Sequence, residues 1–468
     1  MNDLNMNRRE FLQFSALGLG SMTLPIGLPA FASTLAGAPK FFIHVHLNGG
    51  ADQTYFFDAR PLEMTKAGLL QNYLGVEPEP WSGSNGQKTW VTSIVAPLAE
   101  FRNEMSVLNG VVMAHSFDGH VENMKYMYSG NPFGGAGYLP FLNQAASNNP
   151  LDTVVQSYVN PAIMPVPSGV SNLGATLTLS AAGARSLVGE IKNGTAIDTA
   201  NPWVQYAQSR MKALGSGQGR FSLGSRNMLN AYRQAPRLAN AIQKIELPAQ
   251  TAENTPQTDQ FLPILSEAFR RGVAQSAVLS YGDELGLDVH AASDAKLQKD
   301  KYTKAVGRVV KLLKHLKATP IDSSRSLFDV TTVLVSSEFS RTMRQDSLPI
   351  DQTGTDHNAL TNSVWLFGYG IKGGQIIGAS DYQSPNETLT GAHKQMDLKG
   401  LKIMGRPFDF KTMRPRTDSP ESFKITDYLT FSSIVNTIYS MYGVPESNYR
   451  TLGRDLPVAP LLPGLLKT

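Results

Sequence analysis

Apolar residues along this chain gather in a few short, dense runs. In "KFFIHVHLNGGAD" an extended segment puts His44 and His46 on one face and Ile43, Val45 and Leu47 on the other, then ends in a Gly-Gly turn before Asp52. "EMSVLNGVVM", "SAVLSYG", "VTTVLVSSEF" and "SVWLFG" are further compact apolar stretches closed by glycine or polar positions, and they predict buried strands. Between them the period changes. "HSFDGHVENMKYMYSG" predicts a helix with Ser116 or Asp118 as its N-cap, because short oxygen-bearing side chains satisfy the first free N–H groups of a helix. A long amphipathic helix is predicted from about Ala295 to Lys317, its apolar stripe formed by Leu297, Val306, Val309, Val310, Leu313 and Leu316. "TDYLTFSSIVNTIYSMYG" predicts a final helix.

Strands separated by helical stretches predict an α/β fold with a mainly parallel sheet covered by helices. In such sheets ligands sit beyond the carboxyl ends of the strands, where polar residues of this chain also collect. The stretch from about Pro132 to Pro256 is rich in Gly, Asn, Ser, Pro and Gln and reads as an insertion or cap on one core domain spanning 33–468. Within it, "MLNAYRQAPRLANAIQKIEL" predicts a helix. The region from Asp381 to Ser422 predicts loops and short strands.

The first residues change the picture of where the protein works. "NRREFLQ" (7–13) precedes a weakly apolar segment, and Ala30-Phe31-Ala32 fits a small-x-small cleavage site before Ser33. The paired arginines followed by Phe-Leu resemble a twin-arginine signal over residues 1–32, which predicts export to the periplasm or cell envelope with the twin-arginine translocase as a partner. No apolar run of eighteen residues predicts a transmembrane helix in the mature chain.

Composition then restricts the chemistry. The 468 residues include no cysteine, which excludes disulfides, thiolate metal sites and a cysteine nucleophile. Any metal must be held by His, Asp and Glu. The net charge of +4 is unchanged by removing residues 1–32, which carry Arg8, Arg9, Asp3 and Glu10, and is too small to predict a nucleic-acid partner. The lysines on the 295–317 helix read as a solvated face.

Borderline and hard divalent ions need imidazole and carboxylate ligands, which in an α/β fold converge from different strand ends. The candidates are Asp52 or Asp58, Asp288 with His290, Glu338, and Asp356 with His357. Asp356 is read as orienting His357 without binding the ion itself. Ser116 is read two ways. A hydroxyl at a helix N-terminus can act as a nucleophile in the field of the free N–H groups, or can simply cap the helix. His115 and His120 are placed to orient a substrate or to pack. Arg341, three residues beyond Glu338, pairs with that acid or binds a phosphate or sulfate oxygen bidentately.

Taken together, "LNGGAD" (47–52), "LDVH" (287–290), "SEFSRT" (337–342), "GTDHN" (354–358) and "GYGIKGGQIIGASD" (368–381) resemble the large bacterial domain-of-unknown-function family 1501. That family resembles a branch of the alkaline phosphatase and sulfatase superfamily. The resemblance implies a three-layer α/β/α sandwich with a divalent metal (Zn, Mn, Ca or Mg) beyond the strand ends. By position, Asp52 resembles the first-strand metal acid, Ser116 falls near the place of the nucleophile, Asp288 and His290 resemble the pair on one metal, and His357 resembles the last histidine ligand. Glu338 stands where an Asp-His follows its strand, but Phe339 and Ser340 come next, so one histidine of the superfamily pattern is absent. The spacing Asp288-Val289-His290 is also shorter than the usual Asp-x-x-x-His. The implied function is exported, metal-dependent hydrolysis of phosphate or sulfate esters, on an anionic ester or glycan substrate. The alternative is a non-catalytic envelope protein that keeps the fold and uses the site for binding.

Overall fold

The computed structural model describes residues 40–65, 77–117, 119–133, 257–271, 276–290, 292–345, 355–382, 403–418, 424–444 and 459–467, with Tyr138 and short strands at 69–70, 135–136, 156–159, 170–171 and 175–178. The expected signal peptide and the helix expected at "MLNAYRQAPRLANAIQKIEL" lie outside the described residues.

One eight-stranded sheet organises the chain. Its strands are β1 (Phe41–His46), β2 (Met105–Asn109), β3 (Gln156–Val159), β4 (Ala175–Thr178), β5 (Ser276–Ser280), β6 (Thr331–Ser336), β7 (Ser363–Gly368) and β8 (Gln375–Ile377). Their order across the sheet is β8-β2-β7-β6-β1-β5-β3-β4. Every neighbouring pair is parallel except those made by β7, which runs antiparallel to β6 and to β2. The expected mainly parallel sheet is therefore present, with one reversed strand.

The longer helices among the described residues are α1 (His120–Ser129), α2 (Gln257–Arg270), α3 (Ala292–Ala318) and α4 (Phe431–Met441). Because side chains alternate across a strand, each central strand feeds two cores. Ile43, Val45, Val333 and Val335 pack with Leu265 of α2 and Val309 of α3 on one side. Phe42, Leu334 and Leu366 pack with Met127 of α1 and Ile438 of α4 on the other. The result is three layers, helix on sheet on helix. Among the described residues no helix is long and apolar enough to cross a membrane.

Three details differ from the sequence expectation. The α1 helix starts at His120 with Gly119 at the N-cap and no side-chain cap. Ser116 instead lies in the turn where the Phe117 N–H donates to the Ala114 carbonyl, and Asn123 stitches that turn by bonding Ala114, Phe117 and Gly119. Asp118 lies outside the described residues. The long amphipathic helix is extended to Ala292–Ala318. Finally, β3 and β4 come from the stretch read as a cap or insertion, and both pair into the main sheet beside β5.

Candidate metal centre

The register of the sheet explains why distant segments meet. His46 is level with Ser280 of β5 and with Ser336 of β6, so three parallel strands end side by side. The loops leaving them carry Gly49 and Gly50, Asp288 and His290, and Glu338 and Arg341. Because β7 is reversed, the chain enters it at the same edge, and the 355–362 segment brings His357 there. The parallel strand β2 also ends at this edge, and the loop after it leads into α1, whose first residue is His120.

His120, Asp288, His290 and His357 converge so that one ligand atom from each lies within 4.8 Å of all the others. Nε2 of His290 is 3.2 Å from Nε2 of His357 and 3.1 Å from Oδ1 of Asp288. Nε2 of His120 is 3.4 Å from Oδ2 of Asp288, and it is buried with no hydrogen-bond partner. An orphaned ring nitrogen facing a carboxylate and two more imidazoles is a donor set that fits a metal ion. Those spacings also suit ligands about 2.1 Å from one ion, whose mutual separations are about 3.0–3.4 Å. Phe339 forms an apolar wall, its ring centroid 4.4 Å from that of His357 and 4.7 Å from that of His120.

Two buried groups hold these side chains in place. Arg341 is fully buried and donates to the carbonyls of Gly49 and Gly50, the latter at 2.9 Å, and to Asp288 Oδ1 at 2.6 Å; its Nη1 lies 3.3 Å from His290 Nε2. Burial would raise the Asp288 pKa, but the Arg341 hydrogen bond and charge outweigh it, so the carboxyl stays below its ordinary value and ionised at neutral pH. Glu338, also buried, bonds His120 Nδ1 at 2.6 Å and His46 Nε2 at 3.0 Å. Burial opposes its charge, yet these histidine bonds hold its pKa well below the usual range. In turn, burial lowers His120, and the Glu338 bond and charge overcome this to raise it.

The Gly-Gly of "LNGGAD" has a steric cause. Gly50 has φ +69°, and a Cβ there would lie 2.2 Å from the Phe339 ring and 3.0 Å from Arg341 Nε. At Gly49, with φ +111°, a Cβ would lie 2.6 Å from the Asp288 backbone nitrogen. The turn can press against the segments that carry Asp288 and Phe339 only without side chains. Gly50→Ala is expected to destabilise the protein by roughly 2 kcal/mol or more, from the left-handed backbone and the ring clash together. Thermal unfolding measures that loss, and an unchanged midpoint would contradict the packing described.

The remaining sequence candidates are not part of the four-residue cluster. The buried Asp52 caps a short 3-10 turn, its Oδ1 accepting from the Thr54 N–H and hydroxyl, while its own N–H donates to Tyr302. Asp58 pairs with Arg60 at 2.9 Å and accepts from Gln53 and Ser380. Neither belongs to the four-residue cluster. Ser116 and His115 are half-buried in the turn before α1. Asp356, expected to orient the His357 ring, accepts from the His357 backbone N–H and faces His290 Nδ1 at 3.8 Å. The expected Arg341–Glu338 pairing is replaced by Arg341–Asp288, because the guanidinium turns toward the loop after β5. His46 and Tyr128, not among the expected site residues, back the site through Glu338. Alternating histidines in the apolar strand that leads to the site were the available sequence signal.

Fold and site together define a three-layer α/β/α protein with a histidine-rich, strand-end cluster suited to a divalent metal. The chain belongs to the family described as "Protein of unknown function (DUF1501)", which matches residues 39–398. No curated protein matches it. Among solved structures it is similar to phosphonate monoester hydrolase SpPMH from Silicibacter pomeroyi, at 10% identity over 90% of this chain and 78% of that one, with a TM-score of 0.33. It is similar to the alkaline phosphatase of the Antarctic bacterium TAB5, at 10% identity over 73% and 95%, TM-score 0.29. A third is the lipoteichoic acid synthase LtaP from Listeria monocytogenes, at 11% identity over 75% and 72%, TM-score 0.28.

Proposed function

We propose that this protein is a metal-dependent hydrolase of phosphate or sulfate esters, exported to the periplasm or cell envelope by the twin-arginine route. The observation that carries the reading is the convergence of His120, Asp288, His290 and His357 at the carboxyl edge of the sheet. These residues would hold the ion. Three imidazoles and one carboxylate favour zinc over calcium or magnesium, which prefer all-oxygen shells. When bound, the ion supplies Lewis-acid polarisation of the ester oxygens and offsets charge at the transition state.

The chain's own residues supply placement. Asp288 and His290 are half-exposed, so the cluster opens to solvent and admits an anionic ester from that side. Arg341 fixes the Asp288 carboxylate from below. Phe339 closes the apolar flank and keeps water from the buried side of His120 and His357. Ser116 is the nucleophile in this proposal. It stands in the loop that leads into His120, and its hydroxyl makes no hydrogen bond to a described residue.

Release of nitrophenol from aryl phosphates and aryl sulfates tests the reading. Zinc-loaded protein is expected to hydrolyse at least one of them, chelation to abolish turnover, and Ser116→Ala to abolish turnover while leaving zinc content unchanged. An unaffected Ser116→Ala variant would remove Ser116 from the chemistry. One observation favours the non-catalytic alternative: the Arg341 guanidinium is committed to Asp288 and two carbonyls, which leaves it unavailable to clamp a substrate anion. Zinc binding without hydrolysis of any ester would select that alternative.

A further inference from the structure

We propose that Glu338 is a positioning residue and not a metal ligand: with His46 and Tyr128 it forms a buried chain that fixes the His120 ring with Nε2 bare toward the cluster, leaving a centre for one ion. This rests on the metal reading above and goes beyond it, because the sequence reading counts Glu338 among the candidate metal ligands.

The carboxylate of Glu338 is fully buried and its lone pairs are taken by protein donors. Oε1 accepts from the Gly49 N–H at 2.9 Å and from His120 Nδ1 at 2.6 Å. Oε2 accepts from His46 Nε2 at 3.0 Å and shares the Ser337 hydroxyl proton, at 3.0 Å, with the Leu47 carbonyl. A carboxylate offers about four acceptor sites, so little is left for an ion. The next residue is Phe339, whose buried ring packs against His120.

The donors also fix tautomers. The Glu338 carboxylate can only accept, which puts a His46 proton on Nε2 and leaves Nδ1 of the buried ring to accept from the Tyr128 hydroxyl at 3.2 Å. Glu338 can only accept, so His120 must carry a proton on Nδ1. That leaves Nε2 as the ligand atom, and it is the buried nitrogen without a hydrogen-bond partner. A carboxylate behind a ligating imidazole sets ring orientation and raises ligand basicity, and its loss costs about 10–100-fold in metal affinity. The neighbouring His44 is outside this chain, bonded to Ser336 and Tyr138.

Two measurements test the proposal. Side-chain nitrogen NMR of the metal-free wild-type protein is expected to show His120 protonated at Nδ1; protonation at Nε2 alone would overturn it. Zinc titration is expected to saturate at one ion per chain, with Glu338→Gln binding about 10–100-fold more weakly and losing the fixed His120 tautomer. Two ions per wild-type chain, or wild-type affinity in Glu338→Gln, would overturn it. Should Glu338→Gln fail to fold, Tyr128→Phe replaces it, with a few-fold weaker zinc affinity and a changed His46 signal expected and unchanged affinity and signal counting against the chain. If the wild-type protein takes up no metal, the proposed function fails, and the His120 tautomer still decides the placing of Glu338.

Discussion

His357→Ala is expected to remove the metal and the activity while leaving the fold. The His357 ring is half-buried and supplies one of the four convergent ligand atoms, with Nε2 3.2 Å from that of His290. Its loss leaves three donors, one of them the solvent-facing His290. The affinity should fall by more than the roughly 10–100-fold that follows loss of an outer partner, because a ligand itself is gone. Ester hydrolysis should fall to the level of the chelated protein. Far-ultraviolet circular dichroism should be unchanged, since His357 lies outside the eight-stranded sheet, in a two-residue strand paired with Ser340–Arg341. Competition for zinc against a chromophoric chelator measures the affinity. Wild-type affinity in His357→Ala would place the metal elsewhere.

Arg341→Ala is expected to cost about 3 kcal/mol of stability, from loss of a buried charge that serves several acceptors at once. The guanidinium bridges the 47–52 turn to Asp288: removing it leaves the carbonyls of Gly49 and Gly50 without this donor and frees a carboxylate that sits half in solvent. Arg341→Lys should recover little, because a point-like ammonium cannot span three directions as the planar fork does. Urea unfolding gives the stability. A residue whose role is to clamp a substrate anion would behave otherwise: its alanine variant would keep its stability and raise KM. Retained stability with raised KM would therefore reassign Arg341 to the substrate.

The strands were legible because they are buried on both faces. Such strands read as dense β-branched and apolar runs without polar alternation, as "VTTVLV" and "VWLF" do. The same property hid the direction of β7, since a run apolar on both faces looks alike in either sense. The strands β3 and β4 are four residues each, too short to register as a period inside a Gly- and Pro-rich stretch. Asp288, His290 and His357 could be named because they follow strands directly. What Glu338 and Arg341 do was not readable. The partners of Glu338 are His120, 218 positions away, and His46, 292 away; those of Arg341 are the carbonyls at 49 and 50. Pairings across such distances are set by strand register, which a single sequence does not display. Asp52 shows the converse: an acid after Gly-Gly has a ligand's chemistry, and here it caps a turn.

Anomalous diffraction at the zinc edge, from crystals of protein purified without chelator and supplied with zinc, locates the ion itself. One strong peak per chain is expected, enclosed by His120 Nε2, an Asp288 carboxylate oxygen, His290 and His357. No peak among those four residues, or a peak bound instead by Asp52 or Asp58, would contradict the proposed metal centre.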